Sequence, residues 1–387
     1  MVIMRTSHPL PLRAMRLGRS NAGNGLCPVL LSAAWLCAIL ALAAKPAFAS
    51  LRTELDLPAL CSEADIVAEG RISSVTRQGH PVISLPGAEV QGWSMVAVLD
   101  VGHVIKGATT SGTIRFTFAL PAVESFGYTG ASAGLFGIFF LAGKGQSFSV
   151  LNPYHLFVPA APGPTPKAGG CLEQTLDGLA NVFLVHGPSA PDRWTRLRAV
   201  MALETVDGPS ATAALKLASA DPDPMISVWA ISALIRRDDL PALKLAAEIH
   251  IEGPVPGVEN LTARLGSAIS GVRDPKAVPL LLPLLNSTDV NIRRGAACAL
   301  SVIRDNRGVR PLGQALYDPD HEVRYYAVEG LGEITGQNQW TPSIANFDQN
   351  EKKFLAHWRD WAKQLKPPIT PKPEVNPPPE AEPDHPQ

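Results

Sequence analysis

The residue types best suited to catalysis or metal binding do not occur in this chain at the spacings that such chemistry requires. His321-Glu322 begins the H-E-x-x-H pattern of a zinc protease, but Tyr325 occupies the position of the second histidine. Gly143-Lys144-Gly145 lacks the remainder of a phosphate-binding loop, and the nine histidines are scattered without ligand spacing. The sequence therefore predicts no catalytic residue, no cofactor and no metal site, and we expect a protein that is not an enzyme.

A motif that returns every 31 to 35 residues organises the C-terminal half of the chain. Its anchor positions, spaced by 31, 35, 31 and 31 residues, are Leu203, Leu234, Ile269, Leu300 and Leu331. A fixed period in this range is typical of a solenoid, in which each unit buries its apolar face by stacking on its neighbours. We expect an α-solenoid over residues 193–365, closed at its C-terminal end by an amphipathic helix over Asn350–Leu365.

Each of the last two repeats contains a strongly periodic helix that begins at an aspartate. Asp289 and Asp320 are predicted to cap these helices, because a side-chain oxygen at this position accepts hydrogen bonds from free backbone N–H groups. Each aspartate lies four residues before an arginine, Arg293 or Arg324, and this spacing predicts an i,i+4 ion pair within the helix.

These two segments carry the pattern D-x-x-[VI]-R-x-x-A-x-x-[AG]-L, which spans Asp289–Leu300 and Asp320–Leu331. The pattern closely resembles HEAT-like repeats, including the type found in phycobilisome lyases. The resemblance implies a right-handed α-solenoid and a protein-binding role. The likeness to the lyase type implies, as an alternative, an enzyme-associated lyase-like protein, although a shared fold does not carry function with it.

The N-terminal half has the composition of β structure. Residues 50–158 contain five or six short alternating strands, and this number favours a small antiparallel β-barrel, OB-like, or a sandwich. Within them Leu135–Leu141 is a continuous apolar run, which indicates a strand that is buried on both faces. Residues 159–170 form a Pro/Gly/Ala linker, and residues 171–192 are predicted to contain a connecting helix.

A barrel that begins near a cysteine weakly resembles the OB-type domains of tissue metalloproteinase inhibitors. Such inhibitors need an N-terminal cysteine, whereas Cys61 lies eleven residues beyond the expected mature start at Ser50. A metalloprotease-inhibitor-like function of the β domain is therefore a further alternative, and we expect no inhibition of any metalloprotease.

The first 49 residues have the pattern of a secretory signal peptide. Four arginines precede an apolar run over Cys27–Ala44, and Ala47-Phe48-Ala49 matches an A-x-A cleavage site. We expect cleavage after Ala49, which yields a secreted or periplasmic protein without a further membrane span. The alternative is an uncleaved anchor, because an apolar run of this length is at the lower limit for crossing a bilayer.

The net charge of the chain helps to decide between nucleic acid and protein as the partner. The first 49 residues contain five basic residues and no acidic one, so their removal changes the net charge from −1 to −6. Such a charge disfavours nucleic acid as a partner, because phosphate binding requires a basic face.

Residues 366–387 are rich in proline and are predicted to form a disordered tail. We therefore expect an exported, non-enzymatic scaffold that binds a protein partner.

Three cysteines follow the expected cleavage site. Cys61 and Cys171 flank the β domain, so an oxidising compartment would permit a disulfide between them. The alternative is two buried free thiols, because free cysteine is often a small core residue. Cys298 lies in a repeat helix and is expected to be unpaired.

Helical geometry predicts which side chains point away from the packing of the solenoid. The early repeats are apolar at these positions, so we expect a fixed contact with the β domain through Leu197, Met201, Val228 and Ile235. The late repeats are polar there, and the candidate partner-binding residues are Arg294, Ser301, Tyr325 and Glu329.

Overall fold

The computed structural model describes residues 55–79, 82–85, 88–121, 130–145, 147–153, 155–163, 169–249, 259–367 and 369. The predicted signal peptide and almost all of the predicted tail lie outside the described residues, so both remain predictions.

The described residues of the N-terminal part contain seven strands, and five of them close into a barrel. Their bounds are β1 Ile66–Gln78, β2 Val82–Leu85, β3 Ala88–Lys106, β4 Thr113–Pro121, β5 Phe136–Lys144, β6 Ser147–Val150 and β7 Val158–Pro159. The ring runs β1-β3-β4-β6-β5 and closes where β1 pairs with β5, while β2 extends β3 and β7 extends β5. The barrel alternative is thus confirmed over the sandwich. The expectation of a purely antiparallel barrel is wrong, because β4 and β6 pair in parallel.

Strand β5 shows why the barrel needs a cover. Phe139 and Leu141 point into the barrel core, whereas Ile138 and Phe140 belong to the core shared with the helices. Alternate side chains point to opposite faces of a strand, so a strand covered on both sides must be apolar throughout. The predicted double burial of this run is confirmed for Ile138 to Leu141, each at most 2 % exposed.

Two helices provide that cover, α1 Leu57–Glu63 before the barrel and α2 Cys171–Asn181 after it. Gly178 lets α2 approach closely, because a Cβ there would lie 2.7 Å from Cδ1 of Ile138. Lys106, at the end of β3, donates hydrogen bonds from Nζ to the Cys61 and Ser62 carbonyls of α1 over 2.8 and 2.9 Å. The barrel is therefore held against both helices by apolar packing and by bonds to the C-terminal end of α1.

The remaining helices form pairs of unequal length. The longer helices are α3 Arg193–Glu204, α5 Pro224–Arg236, α7 Glu259–Ser270, α9 Val290–Ile303 and α11 His321–Thr335. The shorter ones are α4 Pro209–Ala218, α6 Ala242–Glu248, α8 Val278–Leu284 and α10 Val309–Ala315, and α12 Ile344–Lys363 follows them. Each longer helix packs beside the next longer helix along the chain. One continuous core runs from Leu57 in α1 to Trp358 in α12.

Glycines set the spacing between α7 and α9. A Cβ at Gly295 would collide with the backbone of Gly266, and a Cβ at Gly266 would collide with the backbone of Asn291. The two helix backbones therefore touch, which only residues without a side chain allow.

The last helix, α12, has the predicted apolar stripe but starts earlier than the predicted Asn350. Ser343 caps it, and Asn350 interrupts the helical backbone with φ of −130°. Trp358 is fully buried and donates from Nε1 to the Trp340 carbonyl over 3.1 Å, so this helix covers the end of the repeat core.

Candidate functional site

A shallow groove crosses the long helices α7, α9 and α11. Its volume is about 220 Å³, and its lining is Ala263, Gly266, Ser267, Ser270, Asn291, Arg294, Gly295, Cys298, Glu322 and Tyr326. The close contact between α7 and α9 at their glycines leaves this shallow depression, and hydroxyl, guanidinium and carboxylate groups border it. Such a lining is suited to polar contacts with another molecule.

Arg294 is the predicted partner-binding residue that lines this groove. Its guanidinium is already paired with Asp320, from Nε over 2.9 Å and from Nη2 over 2.7 Å, and Nη1 lies 3.4 Å from Glu322. Because Asp320 accepts these bonds, the pKa of its carboxyl is lowered and that of Arg294 is raised. Arg294 joins α9 to α11 and still exposes 34 % of its side chain to the groove.

The other three predicted partner-binding residues form a connection between α9 and α11. Ser301 donates from its hydroxyl to Glu329 over 3.2 Å, and Glu329 also accepts from the Tyr325 hydroxyl. Ser301 is 2 % exposed and Tyr325 is 9 % exposed, so the expectation that both point away from the packing is wrong. An α-helix with neighbours on two sides exposes a narrower stripe than the repeat offset alone predicts.

The two capping aspartates behave as predicted. Asp289 accepts from the Asn291 N–H over 2.8 Å, and Asp320 accepts from the Val323 N–H over 3.1 Å. Their predicted i,i+4 pairing with arginine is wrong, because each arginine reaches instead to the following unit. The pairs are Arg293 with Asp318 over 2.9 Å and Arg324 with Glu351 over 2.6 Å, and the first repeat has the same arrangement between Arg196 and Asp221 over 2.8 Å.

The four residues expected to contact the β domain do not form one surface. Leu197, Val228 and Ile235 are buried in the helix core, and α5, which carries the latter two, packs on its neighbouring helices. Met201 is 43 % exposed, so the prediction that it is covered by the barrel is wrong. The barrel is covered by α1 and α2, and α3 packs on the short strand β7. The barrel therefore meets the helices through α1, α2 and the contact of α3 with β7, and not through one surface formed by the four predicted residues.

A second polar cluster, centred on Glu204, was not predicted from the sequence. The carboxylate of Glu204 accepts a hydrogen bond from Trp229 Nε1 over 2.6 Å and further bonds from Arg236 and Arg264. The Arg264 guanidinium lies 4.0 Å from the centroid of the Trp229 ring. These residues belong to three consecutive units, and only the packing of the long helices side by side brings them together.

The two cysteines that flank the barrel are joined. A disulfide links Cys61 in α1 to Cys171 at the start of α2, with the Cα atoms 5.7 Å apart. Cys298 is free and half-buried in the groove, and burial raises the pKa of its thiol.

Among the described residues no cluster of His, Cys, Asp or Glu has the arrangement of a metal site. No helix in that part of the chain is long and apolar enough to cross a membrane.

One end of the barrel carries a larger cavity of about 640 Å³. Thr109, Ser111, Arg115 and Lys144 contribute polar groups to its wall. Asp65 also lines it, but its carboxylate accepts the Gly143 N–H over 2.8 Å and so closes the strand end. The cavity is polar and open, without a cluster of groups that points to one reaction.

Comparison with known protein families finds a similarity in the C-terminal half of the chain. Residues 259–332 match the model for HEAT repeats, a segment that contains α7 to α10 and most of α11. No curated protein matches the sequence. The chain is therefore similar to HEAT repeats over the same helices that form the groove, and this similarity supports the predicted HEAT-like character of that region.

Proposed function

We propose that this chain is an exported protein-interaction scaffold, in which the helical repeats form a right-handed α-solenoid that holds a protein partner. The observation that carries this proposal is the coincidence of the HEAT-repeat match with the groove across α7, α9 and α11. HEAT repeats stack into extended binding surfaces, so the part of the chain that resembles them is the part expected to bind. The role is non-enzymatic.

The groove fits the rim of a protein interface better than a substrate pocket. It is shallow, and the arginine that lines it, Arg294, is already paired within the protein with Asp320. Substrate sites are usually concave and largely apolar with a few convergent polar groups. A shallow, hydrogen-bonding surface is instead typical of the polar margin of a protein–protein contact.

Site-specific photo-crosslinking in the native host tests the function. A photoreactive amino acid at Ser267, which is exposed in the groove, should give one dominant protein adduct. The same amino acid at Leu217, 40 % exposed on the short helix α4, is the matched control and should not give that adduct. The proposal fails if Ser267 yields no adduct, or if both positions yield the same one.

The disulfide between Cys61 and Cys171 supports export, because such bonds persist in oxidising compartments outside the cytoplasm. N-terminal sequencing of the mature protein should begin at Ser50, and a reporter enzyme fused after residue 49 should be active outside the cytoplasm. Recovery of the whole chain, starting at Met1, from the cytoplasm would contradict this part of the proposal.

Two alternatives are separated by direct assays. If the repeats were of the phycobilisome-lyase type, the purified protein would bind a tetrapyrrole with a visible absorption shift, and we expect none. An inhibitor of the tissue-metalloproteinase kind needs a cysteine at the chain terminus, whereas Cys61 is 8 % exposed inside α1. We therefore expect no inhibition of any metalloprotease, and inhibition by the purified protein would contradict this.

A further inference from the structure

Large apolar side chains are exposed on the first repeat. Trp194 and Met201, both on α3, are 61 % and 43 % exposed. Arg198 lies four residues after Trp194 and three before Met201, and side chains at these separations are neighbours on a helix surface. The three residues therefore form one stripe on the outer side of α3.

This stripe continues onto the next two units. Arg198, Trp229 and Arg264 are separated by 31 and 35 residues, the spacings of the repeat anchors Leu203, Leu234 and Ile269. They occupy equivalent positions on α3, α5 and α7, and α5 packs against both of its neighbours. The contact of Arg264 with the Trp229 ring confirms that such positions lie side by side. Arg236 and Arg264 both form an ion pair with Oε1 of Glu204.

We call this surface the Trp–Arg face and define it by Trp194, Arg198, Met201, Trp229, Arg236 and Arg264. Arg236 and Arg264 share one carboxylate, that of Glu204. Burial lowers the pKa of Arg198, and the Asp192 carboxylate at the start of α3 opposes this shift without forming an ion pair with Arg198. Three guanidinium groups thus stand against two carboxylates, in a chain whose overall net charge is −1. The excess positive charge is therefore a local arrangement.

We propose that the Trp–Arg face binds an acidic amphipathic segment of a partner protein. The apolar side chains of this segment pack on Trp194 and Met201, and the carboxylates of the segment pair with Arg198 and Arg264. This inference rests on the proposed scaffold function and adds the chemistry of a ligand at a surface that adjoins the groove along α7. Tryptophan, methionine and arginine are among the residue types enriched where proteins bind each other, and Trp and Arg are among those that contribute most to the binding energy.

Charge and shape favour a protein over nucleic acid as the occupant. The carboxylate of Glu204 lies in the middle of the face, where it repels the closely spaced phosphates of a strand. A peptide can place its few carboxylates beside the arginines and its apolar side chains beside Trp194 and Met201, away from Glu204. Charge complementarity of this kind also makes the affinity depend on salt.

A peptide selection on the whole purified protein tests the proposal. A displayed library of random 12-residue peptides is panned against the wild type, after removal of peptides that bind the variant Met201→Asp/Arg264→Gln. We expect enriched peptides to combine Asp or Glu with aromatic or aliphatic residues. The best peptide, labelled with fluorescein, should bind about tenfold more weakly to Trp194→Ala, to Met201→Asp and to Arg264→Gln.

Two variants serve as matched controls, and circular dichroism checks that every variant is folded. Leu217→Asp places a charge at a similarly exposed apolar residue of α4, and Arg304→Gln removes a 60 % exposed arginine at the end of α9. Both should bind the peptide like the wild type. Affinity should also fall as salt is raised, and a single-stranded oligonucleotide of random sequence should not compete.

Several results would overturn the proposal. These are a selection that enriches no peptides, enriched peptides without acidic residues, unchanged binding to the three face variants, or efficient competition by the oligonucleotide. Each of these results leaves the groove test independent, because no face variant changes Ser267 and the adduct is measured with the partner protein and not with the selected peptide. Conversely, loss of the Ser267 adduct with intact peptide binding would refute the proposed groove and not this face.

Discussion

The disulfide between Cys61 and Cys171 should account for a large share of the stability of this protein. The bond closes a loop of 110 residues, which contains the whole barrel. The chain-entropy relation gives about 4.8 kcal/mol for a loop of this length, because the cross-link restricts the unfolded chain. With a urea slope of about 3 kcal/mol/M, the midpoint of unfolding should fall by about 1.6 M when the bond is absent.

The assay compares the oxidised protein, the reduced protein and the double variant Cys61→Ala/Cys171→Ala by tryptophan fluorescence in urea. The last two should share the lower midpoint, and Cys298→Ala should keep the midpoint of the oxidised wild type. Thiol titration of the denatured chain from Ser50 should find one thiol before reduction and three after it. Three thiols before reduction, or midpoints that agree within about 0.3 M, would refute the reasoning.

Three further predictions concern packing, ion pairing and pH. Gly295→Ala should lower the free energy of unfolding by about 1–3 kcal/mol despite the better helix propensity of alanine, because the new Cβ meets the backbone of Gly266. Urea unfolding measures this change. An unchanged midpoint would show that α7 and α9 can separate without cost. Arg293→Met should cost about 3 kcal/mol, because it leaves the largely buried Asp318 carboxylate without its partner. A double-mutant cycle with Asp318→Asn should give a coupling above about 1 kcal/mol, and additive effects would contradict the pairing. Glu69→Gln should stabilise the protein at neutral pH, because burial raises the pKa of this carboxyl in the folded state although His103 opposes the shift. The wild type then loses stability as pH rises from the unfolded pKa of 4.5 through the higher folded value. In thermal melts from pH 4 to 8, the melting temperature of the wild type should therefore fall relative to that of Glu69→Gln as pH rises. Parallel curves would contradict this prediction.

The sequence by itself determined the elements whose cause is local. The recurrence of apolar anchors such as Leu300 and Leu331 identified the repeats. Within each repeat, apolar residues at a period of about 3.6 identified a helix that buries one face. Asp289 and Asp320 were recognisable as caps, because a cap acts within three residues of its own position. The apolar run in β5 predicted a strand covered on both faces, and the structure shows the covering helices.

Other features depend on residues that are distant in sequence. Closure of the barrel requires β1 to pair with β5, and the alternation within each strand is the same in a barrel and in a sandwich. The parallel pairing of β4 with β6 also has no local signature, because it results from the path of the chain around the ring.

The candidate sites were the hardest to predict for the same reason. A helix pattern tells which side chains share a face, but the neighbouring helices decide how much of that face remains exposed. Tyr325 and Ser301 lie on the predicted face and are nevertheless buried, whereas Met201 was expected to be covered and is exposed. Arg293 finds its carboxylate in the next repeat, because the nearer aspartate is already engaged by backbone N–H groups. Short-range propensity thus determines the helices, and the packing between them decides which side chains meet and which can meet a partner.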